Sequence, residues 1–242
     1  MSLMHMTDLA IQCNTTSPAR KQVTGYYRYT EDEIRHILSL PGLSQDTHFP
    51  IELKLAIVQI TRLRVEASTG PSLAATFEIR VQDVFRRIAA INVDDWPGNS
   101  KYDPGFISPS NALIFQLAAR LYGIMALPRR AVWEVLRETA GVGTWSEMLA
   151  SRRRELMKIL KRVYPTIKYY PSLKWPLIVA GVAATGGDDA VDDQTFIDQS
   201  LYRIWQNPLS DNDVFLCLDK LRKFWSSGKC AWEDCFDEAT PS

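Results

Sequence analysis

Histidine is scarce in this sequence: there are three in 242 residues, and none lies beyond His48. Cysteine is nearly as rare, confined to Cys13, Cys217, Cys230 and Cys235. Structural zinc asks for four thiolate or imidazole ligands at paired short spacings. Cys230 and Cys235 have four residues between them, and no histidine lies near, so no metal is expected. So few cysteines in a mid-sized chain fit a reduced, intracellular setting, nucleus or cytoplasm. Long apolar runs are missing too. The longest, WPLIVAGVAA at 175–184, is about half of the roughly 20 residues a spanning helix needs, so no membrane partner is expected. The start, MSLMHMTDLA, lacks the basic stretch and apolar core of a secretory leader. There is no Gly-x-Ser-x-Gly elbow, phosphate-cradling glycine loop or dinucleotide fingerprint, and no cofactor is expected.

Net charge is absent as well, with 28 basic and 28 acidic side chains. A surface that wraps nucleic-acid phosphate usually carries a basic surplus. The balance hides a split: from Thr185 onward there are 12 acidic and 5 basic residues, so the first 184 residues hold the matching positive excess. We read this split as a property of the surface, screened over about 10 Å in physiological salt.

What is present is helical periodicity. TEDEIRHILSL opens with Thr30 and Glu33 in capping-box register, then places Ile34, Ile37 and Leu38 on one face. IELKLAIVQITRLRVEAS sets Leu55, Val58, Ile60 and Leu63 inward and leaves Lys54, Arg62 and Arg64 for solvent. PSLAATFEIRVQDVFRRIAAI begins at Pro71, a good first-turn residue, and carries Phe77, Val81, Val84, Phe85 and Ile88 on one stripe. Residues 94–110 read as a loop between two helical parts. Six further helices follow: NALIFQLAARLYGIMAL (111–127), RRAVWEVLRETA behind Pro128, SEMLASRRRELMKILKRVY (146–164), then WPLIVAGVAA, DQTFIDQSLYRIWQN and DNDVFLCLDKLRKFWSS. No alternating strand and no repeat is evident. The expected architecture is all-α, a single irregular bundle of about nine or ten helices. Residues 1–29 are expected to be mostly irregular, 30–238 to form the domain, and 239–242 to be a tail.

Three segments invite a chemical reading. Asp188, Asp189 and Asp192 share the Asp-Asp-x-x-Asp spacing with which helical terpene cyclases hold Mg²⁺. Their second metal-binding cluster is missing here, and aspartates after a Gly-Gly break belong naturally in a first helical turn. His36 lies four residues after Asp32, the spacing of a solvated helix pair. His5 and His48 fall outside helices. SRRRELMKILKR, residues 151–162, reads as an amphipathic helix with Leu156, Ile159 and Leu160 inward and its arginines in water.

The segments KWPLIVAGVAA (174–184), ALIFQLAARLYG (112–123) and LRKFWSSGKCAWEDCFDE (221–238) together carry a resemblance. They are similar, in order and separation, to the Trp-Pro-Leu-x-x-Ala-Gly, Ala-Leu…Arg-Leu-Tyr and Leu-x-x-Phe-Trp-x-x-Gly-x-x-x-Trp segments of the regulatory domain of fungal zinc-cluster transcription factors. The resemblance spans roughly residues 30–238. It implies a helical domain that responds to a ligand, contacts a like domain as homodimer or heterodimer, or controls transcription. It implies no catalytic residues. Those regulators bind DNA through a six-cysteine, two-zinc module. Cys13 stands alone in the first 200 residues, so direct DNA binding of that kind is not expected. The acidic DDAVDD stands where that family has a more basic segment.

Physical reading of the same residues gives a core lock. Ala180, Gly181, Ala183 and Ala184 let another helix come close, and Trp225 and Trp232 flank Gly228, which can end one helix and turn the chain. Any site for a small apolar molecule is expected between helices, lined by Tyr122, Trp133, Trp175, Trp205 and Trp225. A stand-alone enzyme, a cyclase or isomerase of secondary metabolism working by pocket shape, is the alternative.

Overall fold

A computed structural model describes residues 10–22, 29–39, 50–70, 75–94, 109–141, 143–166, 170–187, 189–207 and 213–237. Among the described residues there are eleven α-helices and no strand. The first, α1, covers residues 10–15, inside the segment expected to be mostly irregular. Then come α2 (Glu31–Leu38), α3 (Ile51–Thr69), α4 (Ala75–Ala90), α5 (Pro109–Ala126), α6 (Arg129–Ala140) and α7 (Trp145–Val163). After two short 3-10 turns, α8 (Lys174–Ala183), α9 (Ala190–Trp205), α10 (Asp213–Ser227) and the single turn α11 (Trp232–Cys235) complete the bundle.

Local chemistry explains the helix ends. At α2 the Thr30 hydroxyl accepts from the Glu33 amide at 3.2 Å, and the Glu33 carboxylate accepts from the Thr30 amide at 2.6 Å. The capping box read from the sequence is therefore formed. Thr144 and Glu147 form a second at α7. The core follows the predicted stripes. Ile34, Leu38, Leu55, Val58, Ile60, Leu63, Phe77, Val81, Val84, Phe85 and Ile88 are all buried in one continuous cluster. The Pro71 start of α4, and residues 95–108 of the expected loop, lie outside the described residues.

Two helices form the middle of the bundle. α5 packs against α3, α4, α6, α7 and α8, and α8 packs against α5, α7, α9 and α10. α8 is buried all round from Trp175 to Ala183. At Gly181 there is no room for a side chain. A Cβ built there would lie 2.9 Å and 3.0 Å from the two Leu221 methyl carbons of α10, and 3.5 Å from Ile197 Cγ2 of α9. Gly181→Ala should gain up to about 1 kcal/mol of helix propensity but force overpacking worth roughly 1–3 kcal/mol. Net destabilisation is the expected result in urea unfolding. Adding Leu221→Ala should cost less than the sum of the two single changes, because it vacates the contested space.

Three basic side chains depart from the sequence reading. Lys54 and Arg64, expected in water, are buried, and so is Arg153 of α7, whereas Leu156 and Leu160 are buried as predicted. On the outside of α2, Glu31 joins three helices. Its carboxylate accepts from Arg87 of α4 at 2.9 Å and from Gln59 of α3 at 3.2 Å. Burial acts to raise its pKa, but the Arg87 and Gln59 hydrogen bonds and the charges of Arg87 and Arg35 outweigh it. The group titrates below the ordinary carboxylate value. A carboxylate depressed on folding contributes stability above its unfolded pKa and loses it as pH falls through the folded value. Acidification from pH 7 to 3 should therefore weaken the parent chain more than Glu31→Gln, as read by denaturant midpoint.

Candidate functional site

Of the five aromatics expected to line one pocket, the structure brings two together, and both lie in the core. Tyr122 is fully buried and Trp175 is 3% exposed. Their rings meet edge-to-face at 6.0 Å, with Phe115 stacked on the far side of Trp175 at 6.0 Å. Trp225 is half-buried elsewhere, and its Nε1 donates to the Gly181 carbonyl at 2.8 Å. Trp205 is half-buried against the core on α9, with the exposed Tyr202 and Phe215 at centroid distances of 5.4 and 5.0 Å. Trp133 is half-buried against the core on α6.

The third member of the central aromatic group is Trp232, 1% exposed, with its ring 4.7 Å from Tyr122 and 5.1 Å from Phe236. It gets there because Gly228, at φ +69°, ends α10 in the left-handed conformation that glycine tolerates. The chain then turns back and α11 drops the indole inward.

Around these rings runs a buried polar network missed from sequence. Arg64 of α3 donates through Nη1 to the Thr15 carbonyl at 2.9 Å and to the Tyr122 hydroxyl at 3.0 Å, and through Nη2 to the Ser17 carbonyl. Its Nε lies 2.7 Å from the Glu233 carboxylate, which is half in water. The Thr61 hydroxyl donates to the Ile57 carbonyl at 2.9 Å, so the Tyr122 hydroxyl donates to Thr61 Oγ1 at 3.0 Å and accepts from Arg64. Both core indoles point at one residue: Trp175 Nε1 donates to Thr15 Oγ1 at 2.9 Å, and Trp232 Nε1 to the Thr15 carbonyl at 2.8 Å. A buried guanidinium needs acceptors, and four residues supply them here: Thr15, Ser17, Tyr122 and Glu233.

A second buried pair lies where α7, α8 and α9 meet. Arg153 Nε is 3.2 Å from the Asp193 carboxylate, and the two side chains are 3% and 4% exposed. Lys161 adds a contact to Asp193 at 2.7 Å. Arg153 also donates to the Gly186 carbonyl at 3.0 Å, and Gln194 to the Ala184 carbonyl at 2.7 Å. The pair thus seals the carbonyl end of α8 and sits in the amide-rich first turn of α9. Of the aspartate run, Asp188 lies outside the described residues, and Asp189 and Asp192 are exposed at the helix start. Among the described residues no group of three or more His, Cys, Asp and Glu side chains is arranged to hold a metal ion. No helix among them is long and apolar enough to cross a membrane. His36 and Asp32 are exposed, and His5 and His48 lie outside the described residues.

The chain matches no family model, no curated protein and no solved structure.

The cysteines differ sharply in access. Cys230 is exposed, while Cys13, Cys217 and Cys235 are buried. Burial, and then the neighbouring Cys217, push the Cys235 thiol far above its ordinary pKa, so it stays protonated. Because the thiolate is the reactive form, an aromatic disulfide reagent should release one equivalent quickly from the native chain and four after denaturation. Two or more fast equivalents would contradict this burial pattern.

Proposed function

We propose that this chain is a non-catalytic helical effector domain that binds a small apolar molecule or a partner protein. In this reading it resembles the regulatory domain of fungal zinc-cluster transcription factors and reaches DNA only through a partner. The observation that carries the reading is the packing of the three motif segments into one unit. Tyr122 from 112–123 makes ring contacts with both Trp175 from 174–184 and Trp232 from 221–238. At Gly181 α8 packs against Leu221 of α10 with no room for a Cβ, and these residues again come from two of these segments. Residues that resemble one family in three separate stretches are thus the residues that meet. The polar atoms of Tyr122, Trp175 and Trp225 are engaged by the protein itself, which suits a structural and binding role for these side chains.

The experiment is a reporter assay. Residues 1–242 fused to a heterologous DNA-binding module should change reporter output several-fold relative to the module alone. Equal output from a folded, DNA-bound fusion would sink the reading. Light scattering on the purified chain tests the self-association that the resemblance implies.

A further inference from the structure

We propose that residues 10–22 fill, in cis, a peptide-binding cleft built by α3, α5, α8 and α11. The groups facing this segment read it as a peptide. Arg64 and Trp232 donate to the carbonyl of Thr15, Arg64 donates again to the carbonyl two residues on, and Trp175 donates to the Thr15 hydroxyl. Glu233 accepts the Ala19 amide at 3.2 Å. Carbonyls at i and i+2, a hydroxyl at i and an amide at i+4 form a linear recognition pattern, and every group reading it belongs to the body of the bundle.

The occupant is unusual for the centre of a helical core. Asn14, Thr15, Thr16 and Ser17 are buried, with Thr15 at 0% exposure. They bring little apolar area, while the aromatic walls come from Tyr122, Trp175 and Trp232. Ile11, Cys13 and Ala19 supply the apolar part of the segment. The segment is therefore held largely by hydrogen bonds, and hydrogen bonds of this kind are exchangeable: a second peptide with the same acceptors restores each one. An empty cleft is less favourable, because it would take two carbonyl acceptors from Arg64 and the Thr15 acceptors from the Trp175 and Trp232 N–H groups. The open form is therefore a minor one, and an entering peptide with the same acceptors captures it. The fitting occupant is a short peptide with threonine or serine at the Thr15 position, small residues on either side, and a free carbonyl two residues on. This names the occupant of the partner-binding reading above and rests on that reading for its biological meaning. The assay below does not measure transcription, so either can fail alone.

The test uses the full chain and a fluorescein-labelled synthetic peptide of residues 8–22, followed by anisotropy. Thr15→Val in the full chain keeps the side-chain shape but withdraws the hydroxyl from Trp175, so its own segment competes less well. The labelled peptide, which keeps the threonine, should bind this variant about tenfold more tightly than the parent, the worth of one hydrogen bond. Arg64→Met in the same background should abolish binding. Equal binding to parent and Thr15→Val, or binding to neither, overturns the proposal. Hydrogen exchange on the unaltered chain gives a second reading that needs no variant. Amides of 10–22 should exchange through an opening that leaves α5 and α8 protected, and exchange only with global unfolding overturns the proposal equally.

Discussion

Asp193→Ala is expected to destabilise the fold by roughly 3–5 kcal/mol, the range for removing one partner of a buried ion pair. Arg153, at 3% exposure, would keep its contacts to the Gly186 and Ala183 carbonyls but lose the carboxylate that neutralises it. Lys161, whose side chain is 41% exposed, can turn to water and adds little to the loss. The partner change Arg153→Met leaves Asp193 with Lys161 and opens the carbonyl end of α8. Replacing both residues with apolar ones removes the charges together, which is often nearly neutral. Here recovery should be partial, because the guanidinium also caps a helix. Urea unfolding of the two single variants and the double variant reads all three values. A loss below about 1 kcal/mol for Asp193→Ala would mean that water reaches Arg153.

Trp232→Ala should be comparably severe, at about 3–5 kcal/mol for deleting a large buried aromatic side chain. The cavity would open between Tyr122 and Phe236, beside Thr15. Trp232→Phe separates packing from hydrogen bonding. It keeps most of the ring area and loses only the donor to the Thr15 carbonyl, which Arg64 continues to satisfy. About 1 kcal/mol is expected for it. If Trp232→Phe and Trp232→Ala cost the same, the indole N–H would dominate and the packing account would fail. Thermal unfolding followed by circular dichroism distinguishes the cases.

The apolar stripes were legible because they depend on neighbours three and four residues away. Phe77, Val81, Val84, Phe85 and Ile88 needed nothing beyond helical spacing. The Thr30 cap was legible for the same reason. Gly181 and Gly228 were also readable, one from its small neighbours and one from its place between two tryptophans. Arg64 and Arg153 were not. Helical periodicity sends a lone arginine to water unless a distant acceptor calls it inward, and those acceptors lie far along the chain, at Glu233 and Asp193. Thr15 was invisible on similar grounds, since its role is defined by Trp175 and Trp232. Residue type alone groups the five aromatics expected around one pocket. Residue type predicts burial well, but it does not say which rings share a neighbourhood. Tyr122 and Trp175 meet through the α5–α8 crossing, whereas Trp205 packs on the core's margin from α9, beside Phe215.

The joining of Thr15 to Trp232 bears on how the chain matures during synthesis. A nascent chain emerging from the ribosome can assemble α2 to α5 early, but it exposes Arg64 beside Tyr122 with no carboxylate to meet it until residue 233 has cleared the exit tunnel. A copy stalled or cut short before that point holds Arg64 against the Thr15 and Ser17 carbonyls and the Tyr122 hydroxyl, with no carboxylate to neutralise its charge.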